Sequence, residues 1–254
     1  GVPCVPGYDG ADQSARTLRQ EAQSVGTPLL IKAVAGGGGR GMRRVDDLAD
    51  FEEALASARS EAQNAFGSGD VILERYLEQT RHIEIQVFAD QHGNVVHLFE
   101  RDCSTQRRHQ KVIEEAPSPF VNDTLREALG SAAVKAAAAI GYVGAGTVEF
   151  LVTPDSEFFF IEMNTRLQVE HPVTEEITGQ DLVEWQLKVA DGEALPLRQE
   201  DISLLGASIE VRLYAENPAD GFMPQTGVIT NWQPAKGTGI RNDHMIIQGN
   251  AVSA

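Results

Sequence analysis

Glu149, Glu162 and Asn164 stand in a segment, residues 147–175 (TVEFLVTPDSEFFFIEMNTRLQVEHPVTE), that crowds charged groups where a strand should end. Residues 147–152 and 158–163 are rich in β-branched and aromatic types, and Thr-Pro-Asp-Ser between them is turn chemistry, which predicts a β-hairpin. Side chains alternate along a strand, so Glu162 and Asn164 share a face, and the hairpin can set Glu149 beside them. Two carboxylates and an amide oxygen converging there make a hard-oxygen site of the kind Mg²⁺ uses with substrate phosphates. The plainer alternative is a row of solvent-facing strand residues. Arg166, Glu170 and His171 follow at once, an excess of charge that favours the site.

The whole chain sets limits on that chemistry. Its 254 residues allow one large domain or two small ones, and 42% hydrophobic with 23% charged residues describes a soluble globular protein. With 21 basic against 37 acidic residues the net charge is −16, which argues against an extended nucleic-acid surface. Cys4 and Cys103 are the two cysteines; without a CxxC pair they exclude a disulfide scaffold or cysteine zinc site and suit a reducing compartment. No apolar run is long enough for a membrane span and no signal peptide opens the chain, so no membrane partner is expected. The sequence starts at Gly1 and ends on Asn250-Ala-Val-Ser-Ala without a closing element, and a piece of a longer polypeptide is expected.

Several elements must position these groups. Residues 1–10 are turn-rich, 13–25 read as a helix stopped by Gly26-Thr27-Pro28, and 29–34 form a short apolar strand carrying Lys32. The run AGGGGRGM (35–42) contains GxGxxG at Gly36, Gly38 and Gly41, but a dinucleotide fingerprint needs a helix next, and 42–45 read as a returning strand. It lacks the Gly-Lys-Ser/Thr of a Walker loop. A strand–glycine loop–strand hairpin can bring backbone N–H groups close to phosphates; the alternative is a surface loop. Residues 46–66 predict an amphipathic helix through Leu48, Phe51, Leu55, Ala58 and Ala62, capped by Asp46 or Asp47. Residues 71–77 predict a strand and hinge. In 81–88, Ile83, Ile85 and Val87 face one way and His82, Glu84 and Gln86 the other; His92-Gly93-Asn94 turns the chain into a strand at 95–100. That polar face is a candidate wall of a site. Arg101, Arg107, Arg108, His109 and Lys111 form a basic run, which by itself is compatible with a solvated face. Thr124-Leu-Arg-Glu127 fits a capping box opening an Ala-rich helix to Ile140, residues 181–190 predict another helix, and from Ser208 onward the chain reads as strands of a further β unit.

Lys32 with the glycine run, ERDCSTQRRHQKVIEEAP and EMNTRLQVEHPVTE together resemble the biotin carboxylases of the ATP-grasp superfamily over essentially the whole chain. GYDGADQS, TGQDLVEWQLKVADGE and AENPADGFMPQTG look most like the biotin-carboxylase subunit of acyl-CoA carboxylases, nearest the methylcrotonyl-CoA and geranyl-CoA types. The resemblance implies an α+β ATP-grasp fold: a glycine-loop lid subdomain (1–76), an antiparallel-sheet core subdomain (77–200), and the start of a C-terminal β domain (201–254). It implies ATP-dependent carboxylation of biotin by bicarbonate through carboxyphosphate. Glu149 and Glu162, with Asn164 nearby, would hold Mg²⁺ or Mn²⁺ on the ATP phosphates. Lys32 and Gly36, Gly37, Gly38 and Gly39 would clamp phosphates; Glu74, Arg75 and Leu77 would receive adenine; His82, Gln106 and His109 would line the nucleotide pocket. Bicarbonate would sit on Lys111 and Arg166, with Glu170 as base, and Arg241 would face the ureido oxygen of biotin.

The implied partners are a biotin carboxyl carrier domain and a carboxyltransferase subunit, in a homo-oligomeric parent. The implied location is bacterial cytoplasm, or the mitochondrial matrix in a eukaryote. The family's N-terminal domain, with its own glycine-rich strand and lysine, and most of its C-terminal domain lie outside this sequence, so the chain alone is expected to be weakly active or inactive. Arg75 stands where relatives often carry lysine, of little consequence if the backbone recognises adenine. Two alternatives stay open: another carboxyphosphate-forming ATP-grasp ligase of the carbamoyl-phosphate synthetase type, and a non-catalytic ATP-binding module.

Overall fold

The computed structural model describes residues 1–36, 41–108 and 110–253, and the chain divides into two compact units, Gly1–Val211 and Arg212–Ala254. The first unit contains two antiparallel sheets.

The smaller sheet comprises β1 (Gly7–Tyr8), β2 (Leu29–Ala33), β3 (Met42–Val45) and β4 (Val71–Arg75), in the order β1-β4-β2-β3. Helices α1 (Ala15–Val25) and α2 (Phe51–Phe66) cover it, and Leu18, Ala22, Phe51, Leu55 and Ala58 close over Leu29, Ile31 and Leu73. Each large apolar side chain so buried stabilises the fold by about 1.5–3 kcal/mol. β2 and β3 pair antiparallel from Leu29↔Val45 to Lys32↔Met42, so a returning strand follows the glycine run, as residues 42–45 predict. The predicted helix at 46 starts later. Asp47 accepts from the Ala49 amide at 2.8 Å and holds a 3₁₀ turn, Leu48–Asp50, ahead of α2.

The larger sheet follows. β5 (Arg81–Ala89), β6 (Val95–Arg107) and β7 (Gln110–Ala116) lead into α3 (Asp123–Ala139). After it come β8 (Gly144–Val152), β9 (Phe158–Asn164), α4 (His171–Thr178), α5 (Leu182–Ala190) and β10 (Ser208–Val211), giving the order β10-β7-β6-β5-β8-β9. Ile83, Ile85, Val87, Val148 and Phe150 face α3, whose Leu125, Leu129 and Ala133 complete the core. On the opposite face, Phe88, Leu98 and Ala145 pack on Leu182, Trp185 and Val189 of α5, with the Phe88 and Trp185 rings edge-on at 5.4 Å.

Three expectations are corrected, and one helix that the sequence did not announce is added. β6 continues past Glu100 to Arg107, longer than the strand expected at 95–100, so the basic run opens inside it, with Arg101 fully buried. The cap of α3 is Asn122, whose side chain accepts from the Leu125 amide at 2.9 Å, displacing Thr124 from that role. Residues after the β8–β9 hairpin form α4, opened by Pro172 in its first turn and almost wholly buried. Ser208–Val211 belongs to the large sheet, paired with β7, while the remainder forms only short pairs in the second unit: Glu216–Asn217 with Met223–Pro224, and Gly227–Val228 with Ala251–Val252. Among the described residues no helix is long and apolar enough to cross a membrane.

Candidate active site

Alternation along β5 and β8 sends Ile83, Ile85, Val148 and Phe150 to the apolar core and leaves His82, Glu84, Gln86, Thr147 and Glu149 on the other face. β9 adds Glu162 opposite Glu149 and Asn164 opposite Thr147. A bulge lies between Glu149 and Phe150, where the register shifts and Ile161 has no partner. It lets Phe160 and Met163 both pack on the core while Glu162 and Asn164 keep to the polar face.

Lys111 of β7 reaches into this face. Its Nζ donates to Glu84 Oε2, lies 2.8 Å from Glu149 Oε1, and lies 2.8 Å from Glu170 Oε1 at the start of α4. Glu84, Glu149 and Glu170 are all buried, so each needs a partner of opposite charge. Burial opposes the Lys111 charge, but the carboxylates of Glu84 foremost, then Glu149 and Glu170, more than offset it and hold its pKa well above the ordinary lysine range. For Glu149 the same contest runs the other way: burial favours the acid, yet His82 and Lys111 drive its pKa far below the usual carboxylate value. Glu149 Oε1 also accepts from Asn164 Nδ2 at 2.7 Å, and His82 Nε2 lies 2.8 Å from Oε2. Gln106 Nε2 donates to Cys103 O at 2.8 Å and stands 2.9 Å from His82 Nδ1, which directs the ring proton to Nε2, toward Glu149.

Glu162 differs from its neighbour. Burial first, and the Glu149 charge second, raise its pKa, with Lys32 and His82 acting against the rise. Among the described residues Lys32, Arg101 and Lys111 thus face Glu74, Glu84, Glu149, Glu162 and Glu170, three cations against five carboxylates. An acidic surplus built from hard oxygens, with one carboxyl strained toward protonation, fits a divalent cation such as Mg²⁺. Asn164 donates its amide nitrogen to Glu149, which leaves Oδ1 as the oxygen a metal would use.

The other anticipated residues are placed as follows. Lys32 lies on β2 with its Nζ 2.9 Å from Glu74 Oε2, and Gly36 donates to Ala33 O at 3.1 Å. Gly37, Gly38, Gly39 and His109 lie outside the described residues. The Arg75 and Tyr76 amides are committed to Pro6 O and Pro28 O, both at 2.9 Å, and Leu77 follows them. Arg166 is exposed on the loop after β9 and donates to Leu167 O at 3.4 Å; it is not drawn into the Lys111 cluster. Arg241 belongs to the second unit, where its Nε is 2.8 Å from Asp243.

Sequence reasoning passed over Thr147, Gln168 and Thr174, and noted Arg101 only as one of a run. Thr147 Oγ1 donates to Gln168 Oε1 at 2.8 Å, and Gln168 Nε2 reaches Glu149 at 3.5 Å. The polar face of β5 was the available signal for Glu84; no local signal marks a buried glutamine in an irregular loop.

Residues 1–198 match the family "Carbamoyl-phosphate synthase L chain, ATP binding domain", and 210–254 match "Biotin carboxylase C-terminal domain". The chain is 57% identical to mitochondrial methylcrotonoyl-CoA carboxylase subunit alpha of Dictyostelium discoideum, across all of this chain and 36% of that protein. It superposes at a TM-score of 0.95 on the biotin carboxylase domain of Hydrogenobacter thermophilus 2-oxoglutarate carboxylase, solved with MgADP, ADP and bicarbonate; identity is 49%, covering 100% of this chain and 56% of that one. The Campylobacter jejuni biotin carboxylase, solved as a β,γ-ATP complex, gives a TM-score of 0.95 at 51% identity, covering 99% and 56%. The chain thus spans between about a third and just over half the length of these relatives. Antiparallel sheets flanked by helices, superposing on solved biotin carboxylases, make this an ATP-grasp fold, and the chain belongs to the biotin carboxylases within the family of carbamoyl-phosphate synthase L chain ATP-binding domains.

Proposed function

We propose that the protein carrying this chain uses ATP and bicarbonate to carboxylate biotin through carboxyphosphate, as the biotin-carboxylase component of an acyl-CoA carboxylase. The observation that carries the reading is the single ammonium of Lys111, which Glu149, the carboxylate proposed for the metal, shares with Glu170, the carboxylate proposed for bicarbonate. Phosphoryl transfer between two anions depends on positioning and charge neutralisation, and this chain has the groups for both.

Glu149, Glu162 and Asn164 would hold the Mg²⁺, which supplies charge neutralisation on phosphate oxygens when bound. Lys32 turns from Glu74 to phosphate, the glycine-loop lid subdomain of residues 1–76 covers it, and His82 and Gln106 fix the outer oxygen of Glu149. Lys111 and Arg166 attract bicarbonate, and Glu170 takes its proton. Arg241 faces the ureido oxygen of biotin delivered by a carrier domain, and a carboxyltransferase subunit takes the product onward in a homo-oligomer. A mitochondrial location is the proposal if the source is eukaryotic, and cytoplasm if bacterial.

The test is ATP cleavage and fixation of labelled bicarbonate into free biotin by the whole protein. Bicarbonate-dependent cleavage with label in biotin is expected. Cleavage without label in biotin would favour a ligase of the carbamoyl-phosphate synthetase type, the reading that the match over 1–198 also suits; no cleavage at all would favour a nucleotide-binding module.

A further inference from the structure

Arg101 is a fully buried guanidinium that touches none of the proposed substrates' residues directly, yet four side chains from three separate segments end on it. Its Nε donates to Glu84 Oε1 at 2.6 Å. One terminal nitrogen donates to Gln86 Oε1 and to Thr174 Oγ1, both at 2.8 Å, and the other reaches Gln168 Oε1 at 3.4 Å. Glu84 passes its second oxygen to Lys111, and Gln168 lies between Thr147 and Glu149. Thr174 sits one turn into α4 from Glu170. Arg101 therefore stands one residue away from each of the three groups that must be spaced correctly: Lys111, Glu149 and Glu170.

We infer that Arg101 is a positioning residue: its planar fork ties β5, the loop after β9 and α4 together, and so sets the spacing of Lys111, Glu149 and Glu170. An ion-pair role alone would need one bond, to Glu84, and a lysine would serve. Four acceptors arranged around one plane need a guanidinium, whose five N–H donors lie in a fixed geometry. Lysine keeps the charge, so the sheet holds, but it cannot reach Glu84, Gln86, Gln168 and Thr174 at once.

Arg101→Lys and Arg101→Met separate these roles. The geometric part is read from a crystal structure of Arg101→Lys, independently of any activity: Glu84 and Gln168 should leave their present partners while the sheet is retained. Unchanged placement of both overturns the inference. The part that concerns turnover rests on the carboxylase reading and is read as bicarbonate-dependent ATP cleavage by the whole protein. A loss of kcat of about a hundred-fold is expected in Arg101→Lys, with the KM for ATP nearly unchanged, since misplacing reacting groups by an ångström costs about that much. A kcat within twofold of the parent, at equal melting temperature, overturns it. A parent that cleaves no ATP refutes the carboxylase reading instead, and the crystallographic arm still decides whether Arg101 positions these groups.

Discussion

Glu149 and Glu162 face each other across the β8–β9 ladder, two carboxylates in register on adjacent strands. Glu149 is bonded into the cluster of Lys111, Asn164 and His82; at Glu162 burial and the Glu149 charge outweigh the pull of Lys32, His82 and Lys111, and its pKa rises above the ordinary value of 4.5. A raised acid pKa means that the folded chain takes up this proton more readily than the unfolded chain. Metal-free stability therefore gains from Glu162 as pH falls through its raised pKa toward 4.5, whereas Glu149, depressed in the fold, loses its contribution only as pH falls below 4.5. Against Glu162→Gln, the metal-free parent should be the less stable at neutral pH, with the gap closing on acidification. Urea midpoints from pH 7 down would show it, and a gap constant with pH would refute the electrostatic account. In the same variant Mg²⁺-dependent ATP cleavage should fall by at least about tenfold; unchanged turnover would remove Glu162 from the metal site.

Removing the central cation should be costly. Lys111→Met leaves Glu84, Glu149 and Glu170 buried around an apolar chain, and breaking a buried ion pair costs about 3–5 kcal/mol. Adding Glu170→Gln removes one of the stranded charges and should recover part of the loss. Chemical denaturation of the single and double variants measures both; a double variant no more stable than the single would mean that the three carboxylates do not share Lys111.

Gly130 tests packing against propensity. Alanine in a helix interior gains about 1 kcal/mol over glycine, but a Cβ at Gly130 would lie 2.5 Å from His97 Nε2. Overpacking of that kind costs about 1–3 kcal/mol, so Gly130→Ala should destabilise. In a His97→Ala background the same change should stabilise, and the reversal of sign in thermal melts is the expected signature.

The cap of α3 gives a smaller effect. Asn122→Ala should cost about 1 kcal/mol, and Thr124→Ala, at an exposed position without a cap bond, within about 0.5 kcal/mol. Equal effects in denaturant titrations would mean that the Asn122 bond is not what starts the helix.

What could be read from residue order depended on how local the cause was. The β8–β9 hairpin announces itself through alternation and a Thr-Pro-Asp-Ser turn, and the glycine run was read as a hairpin because strand residues follow it. α4 gave no such signal, since its eight residues mix β-branched and charged types and its helicity comes from burial of Val173 and Ile177 against the sheet. Arg101 was hidden for a related reason. A basic run reads as a wetted surface until the sheet places Glu84 and Gln86 beside it, and that neighbour lies 17 residues back. Of the anticipated site, Lys111, Glu149, Glu170, His82, Gln106 and Asn164 meet in one cluster, while Arg166 stays outside it, its side chain on an exposed loop.

The β6–β7 hairpin carries Arg101 on one arm and Lys111 on the other, with Gln106 paired to Lys111 in the ladder. Adding one residue within β7 would turn Lys111 to the opposite face, so this connection has the length tolerance of a core strand rather than of a loop. The β8–β9 turn differs: Pro154, Asp155, Ser156 and Glu157 are exposed, and the paired residues behind them fix the register without their help. A reporter or affinity label belongs there, where the chain can be lengthened without moving a charge in the cluster.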